Sequence, residues 1–306
     1  MTTRCVLCDS DQFDPYCPGI LRCRRCSLVF ADAKLTDQEL LDLYGHDYFC
    51  GAEYGDYLAD RAVLTKNFGL RWKVLEKFLD PSRHRSLFEI GAAYGFFLDV
   101  VRHRFDRVAG IDITREGVAF AREQLGLDVI EGDFLEQDFG SRTFDVVCLW
   151  DVVEHLREPH LFLEKISAHS PPGSLIALTT GDVDSLNARL RKGKWRLIHP
   201  PTHLYYFSRK TIVALLEKYG YEAIDVRYCG LYRSLNNIVW TVIETKGRLP
   251  GLYRAMKKAG LLDWGVYLNL FDILYVIARK KAAPGTERLG SQDRALSLPE
   301  AAVTGR

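Results

Sequence analysis

This sequence predicts an α/β protein, a mostly parallel sheet with helices on both faces, preceded by a small cysteine-built module. Three observations carry that expectation. From Ser86 onward, short apolar runs alternate with amphipathic ones, the pattern of strands and their covering helices. The stretch "FEIGAAYGFFL", residues 88–98, ends an apolar run at an acid and places glycines at 91 and 95 before a second apolar run. A strand hands over to a helix beside a ligand in this way. Finally, four of the eight cysteines form two Cys-x-x-Cys pairs, Cys5/Cys8 and Cys23/Cys26, separated by fourteen residues.

At 306 residues the chain is long enough for one full core and a smaller attachment. Its net charge of +1 gives no overall pull towards nucleic acid or an acidic membrane. No basic segment followed by an apolar run opens it, and no apolar run reaches the ~20 residues that cross a bilayer. The cytoplasm is the expected address. In a reducing compartment, paired cysteines favour thiolates on a metal over disulfides. Four such thiolates close a tetrahedral structural zinc site with no open position for catalysis. Cys148 and Cys229 sit in apolar strand-like runs and are expected in the core.

In chain order, residues 1–31 read as a zinc ribbon, too short to fold without its metal. Within it, "ILRCRRCSLVF" makes a hairpin with a knuckle at its turn. Residues 32–80 read as a helical linker or lid, interrupted by "YGHDYFCGAEYGDY" and closed by Asp80-Pro81. The cluster Tyr44, Tyr48, Phe49, Tyr54 and Tyr57 either packs these helices on the sheet or forms a lid that excludes water. The main domain, residues 81–281, offers strands at "SLFEI", "RVAGIDI", "LDVIEGD", "FDVVCLW" and "SLIALTT". Helices are expected near 95–104, 115–125 and 158–169.

Ser208 is a good N-cap for a further helix ending at Gly220. "YEAIDVRYC" follows as a strand, and "DILYVIARK" rejoins the sheet late. A helical insertion at about 231–269 interleaves Arg248, Arg254, Lys257 and Lys258 with aromatic residues. It reads as a cap over a pocket or as a peripheral membrane contact. The small and polar residues of 282–306 predict a disordered tail.

In an open α/β sheet, ligands sit beyond the carboxyl ends of the strands. The first strand presents Glu89 and the glycine turn there. The second presents "GIDIT", with Asp112 suited to accept from ribose hydroxyls. The third presents "EGDF", with Asp133 able to hold an exocyclic adenine amine and Phe134 able to stack nearby. The fourth ends at Trp150 in "LWDVVEH". Acids at two successive strand tips, about twenty residues apart, describe an adenosine site. No Lys-Ser or Lys-Thr pair closes the loop as a P-loop requires, and the three-glycine dinucleotide fingerprint is incomplete.

With these motifs, "EIGAAYG", "GIDIT", "EGDF" and "FDVVCLWDVVEHL", residues 86 to about 230 resemble the class I S-adenosylmethionine-dependent methyltransferases. The resemblance implies a Rossmann-like methyltransferase fold. It also implies that Gly91, Ala93 and Gly95 let the backbone approach the amino-acid end of the cofactor. Asp112 would then hold the ribose and Asp133 the adenine, with Glu89, Phe134 and Trp150 around them. The family more often has glycine where this chain has Ala93.

Methyl transfer from a sulfonium is an in-line displacement, so the protein orients the nucleophile and manages one proton. A hydroxyl acceptor needs a base near neutral pH, for which histidine is suited. His155 and His203 are the candidate base and acceptor-orienting group, with Trp195, His199 and Tyr205 lining the acceptor pocket. Each histidine has a plain alternative: His155 as an anchor for its helix, His203 as packing for the Pro-rich turn. Asp151, Glu154 and His155 also have i, i+3, i+4 spacing. On a helix all three would face one ion, with His199 or His203 completing the shell, although acids that open a helix are more commonly solvated caps.

A ribbon ahead of such a domain resembles the sugar and natural-product methyltransferases, which implies a hydroxyl of a sugar, nucleotide sugar or glycan precursor as acceptor. It also resembles ribosomal-RNA base methyltransferases, whose ribbon binds RNA. A strongly basic ribbon is expected there, whereas acids offset the arginines here.

Overall fold

The computed structural model describes residues 4–32, 57–58, 60–234, 258 and 265–282. Its centre is a seven-stranded sheet of order β10-β13-β8-β7-β4-β5-β6. The strands are β4 (Ser86–Ile90), β5 (Arg107–Asp112), β6 (Asp128–Glu131), β7 (Val146–Trp150), β8 (Leu175–Gly181), β10 (Tyr221–Tyr228) and β13 (Ile273–Lys280). From β6 across to β8 neighbouring strands are parallel; β13 and then β10 are antiparallel. β4 and β7 are buried along their whole length. β7 is apolar throughout and β4 in all but Ser86 and Glu89, because a parallel strand covered on both faces has no solvent side to alternate with.

Helices α2 (Phe96–Val101), α3 (Arg115–Glu123), α4 (Pro159–Ala168) and α6 (Arg209–Lys218) fall where the sequence placed them. Between them, the short α5 (Leu186–Arg191) follows β8 and is capped by the Ser185 hydroxyl, which accepts from Ala188 N. Ser208 caps α6 reciprocally: its hydroxyl accepts from Thr211 N while Ser208 N donates to Thr211 Oγ1. Helix α1 (Arg61–Leu75), inside the segment read as a linker, buries Phe68 and Leu75 in the same core as Phe97 and Trp150. Asn67 exchanges two hydrogen bonds with the backbone of Tyr232, which pins α1 to β11 (Leu231–Ser234).

The expected helical insertion is corrected at its ends. There β11 pairs antiparallel with β12 (Gly265–Leu268). Residues 235–257 and 259–264 lie outside the described residues, as do Tyr44, Tyr48, Phe49, Tyr54 and the tail from 283. Of the tyrosine cluster, Tyr57 stacks on Tyr94 and Phe96 at 5.2 and 5.5 Å, in line with the packing reading.

The cysteine module contains β1 (Phe13–Cys17), β2 (Ile20–Cys23) and β3 (Val29–Ala31), with β2 and β3 forming the anticipated hairpin. Its attachment was not legible in the sequence. β3 pairs with the two-residue β9 (Tyr205–Tyr206), so the module's sheet is completed by the main domain. Cys5, Cys23 and Leu28 join the core that runs under β4, β7 and α6. Lys218 at the end of α6 donates to the carbonyls of Val6 and Leu7.

Candidate active site

The sheet reverses its order of construction at β4. β5 and β6 build to one side of it and β7 and β8 to the other, so a crevice opens beyond the carboxyl end of β4. The turn 91–95 lines that crevice. Gly91, Ala93 and Gly95 all have left-handed backbones, with φ of 77°, 46° and 75°. A Cβ on Gly91 would lie 2.4 Å from Val152 Cγ2, and one on Gly95 2.7 Å from Leu127 Cδ1. Ala93 carries a Cβ and still adopts φ of 46° because its N–H is held: it donates to Asp112 Oδ2 at 2.7 Å.

Asp112 therefore organises the loop. Its other oxygen accepts from Thr114 N at 2.8 Å and Thr114 Oγ1 at 2.5 Å. A carboxylate offers about four acceptor positions, so these three bonds leave one for a ribose hydroxyl. Burial pushes the Asp112 carboxyl above its usual range although the three donors oppose it. Asp133 stands exposed beyond β6, with Oδ1 taken by Leu135 N at 2.6 Å. Glu89 is 2% exposed, and its Oε2 has no hydrogen-bond partner. Burial pushes this carboxyl well above the usual range, against the pull of Arg71. A left-handed cradle, a carboxylate with one acceptor position left and an orphaned buried oxygen fit the adenosine and amino-acid groups of S-adenosylmethionine.

Two expectations for this crevice are corrected. Phe134 is 2% exposed, its ring packed among Phe88, Phe139 and Phe162 and capped by Lys165 Nζ at 5.3 Å. It fills the core and offers no face for stacking on adenine. Trp150 is likewise enclosed, edge-on to Phe97 and Tyr275. Its outward neighbour is Arg71, whose guanidinium lies 5.4 Å from the indole. Arg71 bonds Asp151 Oδ2 at 2.5 Å, and Thr179 Oγ1 donates to Asp151 Oδ1 at 2.7 Å. Desolvation opposes ionisation, but Arg71 and Thr179 hold the Asp151 carboxyl below its usual range. Sequence reasoning missed Arg71. A single arginine on a weakly amphipathic helix carries no pattern, and only folding brings it to the tip of β7.

Beyond β7 the chain forms a turn at 153–155, so the i, i+3, i+4 face expected of Asp151, Glu154 and His155 does not form. Asp151, at φ 55°, turns towards Arg71. Glu154 and His155 instead meet the 197–203 segment. His155 Nδ1 donates to Thr202 O at 2.8 Å, and His203 Nδ1 to Leu197 O at 2.9 Å. A carbonyl can only accept, so in both neutral rings the proton sits on Nδ1 and Nε2 is the basic nitrogen. The rings of His155 and His203 are 4.5 Å apart, and those of His199 and His203 4.0 Å.

Burial pulls the His155 imidazole down to about 4 and that of His203 to about 2, so both are neutral near pH 7. Burial and the nearby Asp151 charge push the Glu154 carboxyl up to about 8. The structure thus brings His155, His199 and His203 together. It does not bring Trp195 or Tyr205 to them. Trp195 is 2% exposed, packs with Ile20, Val29 and Tyr206 and donates to Asp272 Oδ2 at 3.0 Å. Tyr205 pairs with Phe30 across β9–β3 and donates to Arg157 O. Both side chains hold the joint between module and main domain.

In that module the thiols of Cys5, Cys8, Cys23 and Cys26 all lie within 4.8 Å of one another. The Sγ–Sγ distances are 3.4 Å for Cys5–Cys26 and 3.5 Å for Cys8–Cys23. Sulfurs around a tetrahedral zinc with ~2.3 Å bonds are about 3.8 Å apart, so the cluster is compatible with a zinc ribbon. Each knuckle is closed by a left-handed residue directly after its second cysteine, Asp9 at φ 60° and Ser27 at φ 70°.

The sequence profile of a family described as "Methyltransferase domain" matches residues 64–226, more than half of the chain. No curated protein matches the sequence. Among solved structures, a Bacillus halodurans chain described as a methyltransferase superposes with a TM-score of 0.51 at 13% identity, covering 71% of this chain and 100% of its own. Phosphoethanolamine N-methyltransferase 2 of Haemonchus contortus, solved in complex with S-adenosyl-L-methionine, gives a TM-score of 0.51 at 15% identity, covering 83% of this chain and 62% of its own. At such identities the likeness is one of fold.

Proposed function

The chain belongs to the methyltransferase-domain family, and on that premise we propose that it methylates a hydroxyl of a small molecule, a sugar, nucleotide sugar or glycan precursor. S-adenosylmethionine supplies the activated methyl group. The observation that carries the reading is the Asp112–Ala93 bond, which ties the acid at the tip of β5 to the left-handed turn after β4. The left-handed turn of Gly91, Ala93 and Gly95 presents its backbone to the amino-acid end of the cofactor. Asp112 accepts from its ribose, Asp133 from its adenine amine, and Glu89 faces its ammonium group.

The acceptor stands beyond β7 and β8, where His155, His199 and His203 converge. A histidine of this group takes the hydroxyl proton as the oxygen attacks, and burial keeps His155 and His203 neutral, the form that can accept one. Zinc bound by Cys5, Cys8, Cys23 and Cys26 stabilises the ribbon. Arg4, Arg22 and Arg24 each lie within ion-pair reach of an aspartate, Asp9, Asp184 and Asp14 respectively. That supports a small acceptor over RNA, whose binding rests on cations available to phosphates.

The test incubates the chain with methyl-labelled S-adenosylmethionine and an extract, then separates RNA, lipid and small-molecule or glycan fractions. Label in the small-molecule or glycan fraction on a base-stable ether is expected. Label confined to RNA would overturn the reading.

A further inference from the structure

A second group of ligating atoms gathers in the main domain, away from the four cysteines. One oxygen of Glu154, one nitrogen of His155 and one of His203 lie within 4.8 Å of one another. Three features set this apart from an incidental polar cluster. Glu154 is 4% exposed, yet its Oε2 has no hydrogen-bond partner. A buried carboxyl oxygen in that state is costly unless a proton or a cation meets it. Thr180, also buried, points its hydroxyl at the same carboxyl. Both rings spend Nδ1–H on a backbone carbonyl, the arrangement that fixes a metal-ligating histidine by its outer nitrogen and directs Nε2 inward. The supporting backbone is also fixed, since Leu204 N and Tyr205 N both donate to Glu154 O.

We propose that Glu154, His155 and His203 form a binding site for a divalent transition-metal cation, distinct from the zinc ribbon and open to the acceptor. Ligand atoms around such an ion, with bonds of about 2.0–2.2 Å, stand roughly 3.4 Å apart in a tetrahedron. The ligating atoms of the three side chains lie within 4.8 Å of one another, near that spacing. Two imidazoles and one carboxylate select Zn²⁺, Fe²⁺ or Co²⁺ over the hard cations Mg²⁺ and Ca²⁺. Three protein ligands leave a position vacant, as in catalytic sites, whereas four thiolates leave none.

The inference rests on the hydroxyl-methylation reading only for its role. An acceptor hydroxyl in the vacant position loses its proton more readily, and the two imidazoles hold the ion instead of taking that proton. His199, 4.0 Å from His203 between ring centres, is the neighbouring group placed to receive it.

The experiment loads the full chain with Co²⁺ after stripping its metals, and reads stoichiometry together with absorption. Cobalt in the ribbon shows thiolate charge-transfer bands; cobalt on imidazole and carboxylate shows only weak visible bands. The expected result is about two ions per chain, the second without further charge-transfer intensity, falling to about one in Glu154→Gln and in His203→Ala while the ribbon bands persist. The ribbon bands and cofactor affinity report that the variants are folded. A wild-type chain that takes only the ribbon ion overturns the site whatever the variants do, and so does a second ion retained by both. Methyl transfer to a hydroxyl without a second ion would remove the site and leave the function standing. A second ion with label only in RNA would do the reverse.

Discussion

Replacing Asp112 by asparagine tests the link between strand tip and cofactor loop most directly. The carboxylate accepts three hydrogen bonds, from Ala93 N, Thr114 N and Thr114 Oγ1, and the residue is 8% exposed. Asparagine keeps the shape but has one acceptor oxygen, which suffices for the two Thr114 donors. Its amide NH₂ then faces Ala93 N–H, donor against donor. One charge-assisted bond is worth about 1.5–3 kcal/mol, and a buried N–H left unpaired costs about 1–3 kcal/mol. The two overlap, so about 2–4 kcal/mol is expected in all.

Where that cost falls depends on the loop. If the turn keeps its left-handed form, the loss appears in folding and is read as a lower urea midpoint. If Ala93 relaxes from φ 46°, the loss moves to cofactor binding. Affinity by calorimetry then weakens roughly 30- to 700-fold at about 1.4 kcal/mol per tenfold. An Asp112→Asn variant with stability within about 0.5 kcal/mol of wild type and unchanged S-adenosylmethionine affinity would refute the reasoning, because neither route would carry the cost.

Other perturbations separate the remaining parts. Gly91→Ala forces a Cβ into Val152 and a side chain into φ 77°. About 2–4 kcal/mol of destabilisation is expected in urea, and adding Val152→Ala should recover the clash but not the backbone strain. Trp195→Phe removes the bond to Asp272, which keeps Asn187 and Arg196. It should cost about 1–3 kcal/mol and leave cofactor affinity as it was; a large affinity loss would return Trp195 to the site. Arg71→Met leaves Asp151 without its cation. Because Asp151 titrates below its usual value when folded, the pair contributes stability above roughly pH 3.9, and that contribution fades as the pH falls through the lower folded value. The gap between wild type and variant should therefore be wide at neutral pH and narrow on acidification. Chelation of the ribbon metal should shift the unfolding of the whole chain, since β3 pairs with β9 and β9 bonds Glu154 O. Hydrogen exchange that changes in residues 4–32 alone would contradict that coupling.

The parallel strands were legible because burial on both faces leaves continuous apolar runs. The turn after β4 was legible because left-handed turns call for glycine at fixed spacing. The cysteine pairs could be read because ligand spacing is local. Ala93 looked like a departure from pattern, and the structure gives its reason in the N–H that Asp112 holds. Phe134, Trp150, Trp195 and Tyr205 were assigned to ligands because an aromatic residue near a strand tip reads alike whether it faces a pocket or the core. Which way it faces depends on neighbours such as Phe88, Tyr275 and Phe30, distant in sequence.

By itself, then, the sequence determined the five parallel strands and the helices that cover them, the cradle after β4, the acids at the tips of β5 and β6 and the four-thiol module, because each is encoded within a few neighbouring residues. Only the tertiary structure decided that the module completes its sheet with β9, that Arg71 meets Asp151, and that Glu154 leaves the helical face expected of it to join His155 and His203. Each of those contacts reaches across the chain, Arg71 and Asp151 alone being 80 positions apart. The free energy that selects them is packing of the whole core, which no local pattern records.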